Sequence, residues 1–256
     1  MPKYLNKLLS FNIFFIVIVS TFLMFNFVDI KLFQFSKSFP ELIFFFFRDF
    51  IDPISDVFDP LNIIILTLVV LVFNVNLKKV LKNKVKLNLM TQKTGCGSKK
   101  ISDSFGFYSA ISLHFLWSLA TAGILCNIIK YIMGVSRPKY FFSEGFERID
   151  FFNIFHKANS FPSGHTQAAF TLAILIIIHI DKFHIYILIL AILMGVSRIF
   201  MSMHFPSDIF FGAYLGAVVP VFLYKYYFEK KINFYKETNV TNVYDFIKLL
   251  YWRIFI

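Results

Sequence analysis

The chain has 256 residues, 57% hydrophobic and 20% aromatic, with a mean hydropathy of +0.67 and a formal net charge of +11. An apolar share above the roughly 45–50% of average soluble domains excludes an ordinary water-soluble domain and indicates an integral membrane protein. Two cysteines, Cys96 and Cys126, exclude a disulfide scaffold.

Residues 8–28 form a first apolar run behind Lys3 and Lys7. Its length is close to the roughly 20 residues that cross a hydrocarbon core of about 30 Å. Phe22, Met24, Phe25 and Phe27 stand where a signal peptide would carry small residues, so a retained helix is expected. Residues 29–59 combine Phe44 to Phe47 with Arg48, Asp49, Asp52, Asp56 and Asp59, and Pro53 and Pro60 break the pattern. An amphipathic interfacial segment is expected there, its acidic residues on a solvated face. A second span is expected over residues 61–77, then a Lys-rich linker over 78–104 interrupted by Gly95-Cys96-Gly97. Residues 105–129 give the third span, and a polar loop carrying Arg137-Pro138 runs to about residue 160. Spans four and five fall at 166–180 and 185–197, joined by the turn Asp181-Lys182-Phe183-His184, and span six falls at 209–228. A basic tail closes the chain over 229–256; its last part alternates apolar and charged residues and is expected on the membrane surface. The expected fold is all-α: a six-transmembrane helix bundle with interfacial helices, forming one membrane domain over residues 1–256.

Six spans place both termini on one side. That side, with the Lys-rich linker and the 181–184 turn, carries 17 Lys and Arg against 5 Asp and Glu; the other side carries 9 against 10. Basic residues concentrate in cytoplasmic loops, so the first side is cytoplasmic and the basic charge is an orientation signal rather than a nucleic-acid footprint. Cys96 and Cys126 then lie on opposite sides and are expected as free thiols. The Asn239-Val240-Thr241 sequon falls on the cytoplasmic side and is set aside.

Three short sequences fall together on the outer side: Lys130-x6-Arg137-Pro138, Pro162-Ser163-Gly164-His165, and Ser197-Arg198-x5-His204-x3-Asp208. Lys130, Arg137 and Arg198 supply three cations suited to a phosphate, the arginines as planar forks and the lysine as a point charge. Ser163 and Gly164 at a helix start add backbone N–H groups without intrahelical partners, a hydroxyl, and room for close approach of an anion. His204, held on one nitrogen by Asp208, can attack phosphorus with the other, and His165 can protonate the leaving oxygen. Such a site works by positioning and charge stabilisation, with the cations in place of a divalent metal, so no metal or organic cofactor is expected. Taken singly, each element has a bland reading: a snorkelling lysine, a charged turn, a helix start, a structural His–Asp pair. His114, His156, His179 and His184 have no patterned partner and are left out of the site.

Together the three sequences resemble the motif of the type 2 phosphatidic acid phosphatase (PAP2) superfamily of membrane lipid phosphatases, with every signature position filled. The resemblance covers about residues 130–208, and the Ser160 to Thr166 form is similar to the bacterial branch. It implies a six-span fold and a phosphohistidine on His204, with Asp208 as its partner and His165 as the acid. It also implies that Lys130, Arg137, Ser163, Gly164 and Arg198 hold the phosphoryl oxygens. The implied substrate is a lipid phosphate or diphosphate of the bilayer, such as undecaprenyl diphosphate, a lipid A phosphate, phosphatidylglycerol phosphate or phosphatidic acid. The expected location is a bacterial inner membrane with the site facing outward. Two alternatives stay open: a lipid phosphotransferase using the same site, and an anion carrier.

Overall fold

The computed structural model describes residues 1–57, 60–180, 182–238 and 240–255. Asp59, Asp181 and Asn239, named above in the acidic segment, the turn and the sequon, lie outside the described residues. The regular structure of the described residues is helical, joined by loops and with one isolated antiparallel bridge between Val135 and Ile149. Among the described residues, four stretches are long and apolar enough to cross a membrane. They are α1 (Phe11–Ser36), the stretch Glu41–Lys82 that passes through the two residues not described and ends in α2 (Pro60–Lys82), α3 (Ser98–Met133), and α6 (Pro206–Lys236). The fourth and fifth expected spans are the shorter apolar helices α4 (Gly164–His179), of 16 residues, and α5 (His184–Phe200), of 17.

Several boundaries differ from those expected, each for a local physical reason. The first helix runs to Ser36 rather than stopping before Asp29. Asp29 is fully buried and accepts hydrogen bonds from Ser207, so its charge is satisfied inside the protein and does not end the helix. The Lys-rich linker is helical on both sides of its glycine break. Asn83 caps Lys84–Thr94 by accepting from the N–H groups of Val85 and Lys86, and Gly95 ends that helix in the left-handed conformation at φ 70°.

The fold divides into two compact units, Met1–Asn62 with Ser118–Phe222 and Ile63–Trp117 with Leu223–Ile256. In the first, Phe47 and Ile51 pack with Ala169, Ala173, Ala191, Met194 and Phe200, and Phe47 stacks on Phe200 at 4.4 Å between ring centroids. The segment expected to lie in the interface therefore turns one face into the protein, while Phe45 and Phe46 remain exposed. In the second, Leu77, Met90, Ile101 and Phe105 form a core with Phe246 and Leu249 of the C-terminal helix Val243–Phe255. Tyr108 stacks on Phe246 at 3.9 Å and donates to the Thr241 carbonyl at 3.0 Å, so the tail docks through its apolar face. Cys96 and Cys126 are both free, as expected.

Candidate active site

All eight residues selected from the sequence lie in the first unit. Two glycines of α6 set the spacing: a Cβ at Gly212 would stand 2.8 Å from the Ser163 carbonyl oxygen, and one at Gly216 would stand 2.3 Å from that of Gln167. Without side chains there, α6 approaches the start of α4 closely, and the Ser163 N–H donates to the Asp208 carbonyl at 3.0 Å. Ser163 is the N-cap of α4: its hydroxyl oxygen accepts from the Thr166 N–H at 3.4 Å and from the Thr166 hydroxyl at 2.9 Å. Gly164 and His165 follow on the first turn, both part-exposed.

The polar loop before α4 is folded rather than loose. Ser136 N–H donates to the Arg148 carbonyl at 3.1 Å, Arg137 N–H to Lys157 at 3.0 Å, and Ser160 N–H to Val135 at 2.7 Å. Lys130, at the end of α3 and 7% exposed, donates to the carbonyl oxygens of Pro162 at 2.6 Å, Asn159 at 2.9 Å and Ser160 at 3.5 Å. Its ammonium thus ties α3 to the strand of backbone that enters the Ser-Gly-His turn. Arg137 donates from Nη2 to the Asn159 side chain at 3.2 Å, and Arg198 pairs through Nη1 with Asp52. Arg137 Nε and Arg198 Nε are buried donors with no hydrogen-bond partner among the described residues. Buried N–H groups of a cation left in this state suit an anion that accepts from them.

His204 lies in the loop between α5 and α6 and is 2% exposed. Its backbone N–H donates to the Arg198 carbonyl at 3.2 Å, which fixes the ring beside that arginine. Nδ1 stands 3.6 Å from Asp208 Oδ2 and 3.3 Å from the Ser160 hydroxyl oxygen, and that hydroxyl donates to Asp208 Oδ2 at 2.5 Å. Asp208 also accepts from the Phe205 N–H at 2.7 Å. The Nδ1–Asp208 separation is longer than a hydrogen bond, so Ser160 links the two in this state. With Nδ1 turned toward this pair, Nε2 is the ring nitrogen left for chemistry. Burial holds the His204 pKa well below the ordinary imidazole value, and the charges of Lys130, Arg137, Arg198 and His165 push it the same way. The ring is therefore neutral at pH 7.

The structure adds residues that spacing alone did not select. Ser160 and Asn159 precede the Pro162 motif and hold Asp208 and Arg137. Asp29, on α1, accepts from the Ser207 N–H at 2.8 Å and its hydroxyl at 2.6 Å and pairs with Arg148. Arg148 lies over the Phe205 ring at 3.4 Å and over Phe25 at 4.4 Å. Asp52 faces Arg198 instead of lying on a wholly solvated face. A carboxylate at the end of an apolar run was the available signal for Asp29, because such a group is retained in a membrane protein when it has a partner, whereas Asp52 was hidden among the neighbouring charges Arg48, Asp49 and Asp56. Among the described residues no three His, Cys, Asp or Glu side chains are grouped as metal ligands.

The family profile described as "PAP2 superfamily" matches residues 111–232, the part of the chain that holds all three motifs. A Rhizobium johnstonii protein named lipid A 1-phosphatase is 29% identical over 113 residues, covering 43% of this chain and 46% of its own length. Lipid phosphate phosphatase 2 of Arabidopsis thaliana is 30% identical over 162 residues, covering 50% of this chain and 53% of its own. The bacitracin transport permease protein BcrC of Bacillus licheniformis is 39% identical over 66 residues, covering 26% and 32%. The chain spans about half the length of the Rhizobium and Arabidopsis proteins. No solved structure gives a significant match. That profile match, these relatives and the three motifs brought into one unit make residues 111–232 similar to the PAP2 superfamily.

Proposed function

We propose that this protein is a membrane phosphatase that removes phosphate from a lipid phosphate or diphosphate through a phosphohistidine on His204. The observation that carries the reading is the buried His204 ring, held from its Nδ1 side by Ser160 and Asp208 in the field of Lys130, Arg137 and Arg198. The relatives' names, lipid A 1-phosphatase and lipid phosphate phosphatase, support a lipid phosphate as the substrate class.

In the proposed first step His204 Nε2 attacks phosphorus, the P–O bond to the lipid breaks, and His165 gives its proton to the departing lipid oxygen. Water then attacks the phosphohistidine, His165 takes its proton, the P–N bond breaks, and inorganic phosphate leaves a neutral His204. Asp208 and Ser160 stabilise the charge that develops on the imidazole. The free N–H groups of Arg137 and Arg198, the Ser163 hydroxyl and the Gly164 N–H at the start of α4 bind the phosphoryl oxygens, whose charge is spread in the transition state. Lys130, fixed on three carbonyl oxygens, adds a positive field and holds the Ser163 turn in place. The chemistry described needs no metal. The proposed location is the outer face of an inner membrane, a reading supported by the excess of Lys and Arg on the side assigned to both termini.

Phosphate release by the purified protein from a panel of lipid phosphates, with EDTA present and His204→Ala as control, tests the reading. Release that survives EDTA and is lost in the variant is the expected result. Activity abolished by EDTA contradicts the metal-free chemistry, and an active variant contradicts the nucleophile. A phosphorylated acceptor formed in place of free phosphate would identify a transferase.

A further inference from the structure

The second compact unit contains a polar cavity that the phosphatase reading does not use. It has a volume of about 290 Å³, and its polar lining consists of Asn74, Ser102, Ser109, Lys231 and Tyr235. Asn74 is 6% exposed, and both its amide nitrogen and its amide oxygen lack a hydrogen-bond partner among the described residues. An unpartnered buried amide is costly in a protein interior and rare enough to require an explanation. Lys231 brings a positive charge to the same cavity, and among the described residues no acidic side chain lines it. Gly106 contributes to the shape: a Cβ there would stand 2.5 Å from the Tyr235 hydroxyl oxygen, so only glycine lets that ring lie against α3. The remaining wall is apolar and includes Leu77 and Leu113.

A cation, an amide N–H2 and serine hydroxyls opposite an aliphatic wall match a ligand that is anionic at one end and apolar at the other. Basic pockets between membrane helices bind the headgroups of anionic lipids for this reason. We propose that this cavity binds the phosphate headgroup of an anionic phospholipid, with Lys231 as its counter-charge and Asn74 and the serines as hydrogen-bond donors. The proposal is independent of the chemistry assigned to His204.

The test is thermal unfolding of the full chain in a neutral detergent, titrated with phosphatidylglycerol, phosphatidylcholine, glycerol phosphate or inorganic phosphate. Phosphatidylglycerol is expected to raise the melting temperature by several degrees, with phosphatidylcholine and the two water-soluble phosphates ineffective at the same concentration. Lys231→Gln, a change at an exposed side chain that leaves the core untouched, is expected to weaken the apparent affinity about tenfold. Asn74→Leu removes the unpartnered amide and is expected to abolish the lipid-dependent shift. Arg137→Gln, in the phosphatase site, is expected to leave that shift in place. The proposal is overturned if phosphatidylcholine acts as well as phosphatidylglycerol, if inorganic phosphate does so in the Arg137→Gln variant, or if the phosphatidylglycerol shift disappears with Arg137→Gln. It is also overturned if Asn74→Leu only stabilises the protein while the lipid response stays unchanged, because the cavity is then a hydrated void.

Discussion

The loops between residues 130 and 208 and the N-terminal segment between residues 29 and 57 both place charged side chains in apolar surroundings, but they do so in opposite ways. In the loops, cations and histidines converge within short stretches of chain, and Arg137 Nε and Arg198 Nε keep donors free. In the N-terminal segment, Asp29 and Asp52 stand apart in sequence and each meets an arginine far along the chain, Arg148 and Arg198 respectively. The first arrangement suits a ligand; the second closes charges against one another. Buried arginines in this protein therefore use their N–H groups in two ways, some on carboxylates of the fold and some left over for an anion, and Arg198 does both. Only the second use is written in local spacing.

Five substitutions, one of them read through a pH titration, can break or sharpen that contrast, from the largest expected effect to the smallest. His204→Ala removes the proposed nucleophile and is expected to lower kcat for phosphate release by more than about 10³-fold with the fold intact, as read by activity alongside thermal unfolding. Asp208→Asn leaves the ring but removes the charge that supports it, with an expected loss of about 10² to 10³-fold, mainly in kcat. Asp29→Ala belongs to the other region and is expected to act on stability first. It leaves the buried Arg148 guanidinium and the Ser207 donors without their carboxylate, a cost of about 3–5 kcal/mol, read as a fall in melting temperature. Asp52→Asn is the test that separates the regions most finely, because Asp52 touches a residue proposed to bind phosphate. If the carboxylate competes with substrate for Arg198, the variant binds inorganic phosphate about three- to tenfold more tightly, seen as a lower inhibition constant; weaker binding would instead make Asp52 a positioning group for that arginine.

The pH profile carries a smaller but directional expectation. His204 is held below its ordinary value of about 6.5, so the folded protein binds fewer protons there than the unfolded chain at mildly acidic pH. Activity that depends on the neutral ring should persist below pH 6.5 and fail only in more acidic buffer. Among the charges facing this ring, Lys130, Arg137, Arg198 and His165 repel its proton, whereas Asp208 attracts it. Arg137→Gln removes one repelling charge and should move the acid limb of kcat/KM toward higher pH by about half a unit to one unit. A limb that moves the other way would mean that His204 is not the group being titrated.

Much of this protein was legible in its sequence. Hydropathy located helices around all six expected spans, although Gly164–His179 and His184–Phe200 are shorter than the other four. The fixed spacing of Lys130, Arg137, Ser163, His165, Arg198, His204 and Asp208 selected residues that fold into one unit. What spacing did not reach was tertiary. Asp29 and Ser207 are 178 positions apart, and nothing local to either indicates the other. The helical character of the Lys-rich linker depends on a cap at Asn83, and the docking of the tail depends on Phe246 meeting Tyr108. Ser160 was visible beside the motif, but its role appears only when its hydroxyl is seen between Nδ1 of His204 and Oδ2 of Asp208.

The central claim is that His204 carries the phosphoryl group. Rapid acid-free quenching of the purified protein with a lipid substrate labelled in its phosphate, followed by peptide mass analysis, tests it most directly. The account predicts an acid-labile phosphate on the peptide containing His204, formed before free phosphate appears, accumulating in His165→Ala when hydrolysis is slowed, and absent from His204→Ala. Label on His165 or any other residue, or full turnover with no labelled enzyme at any time, would contradict it.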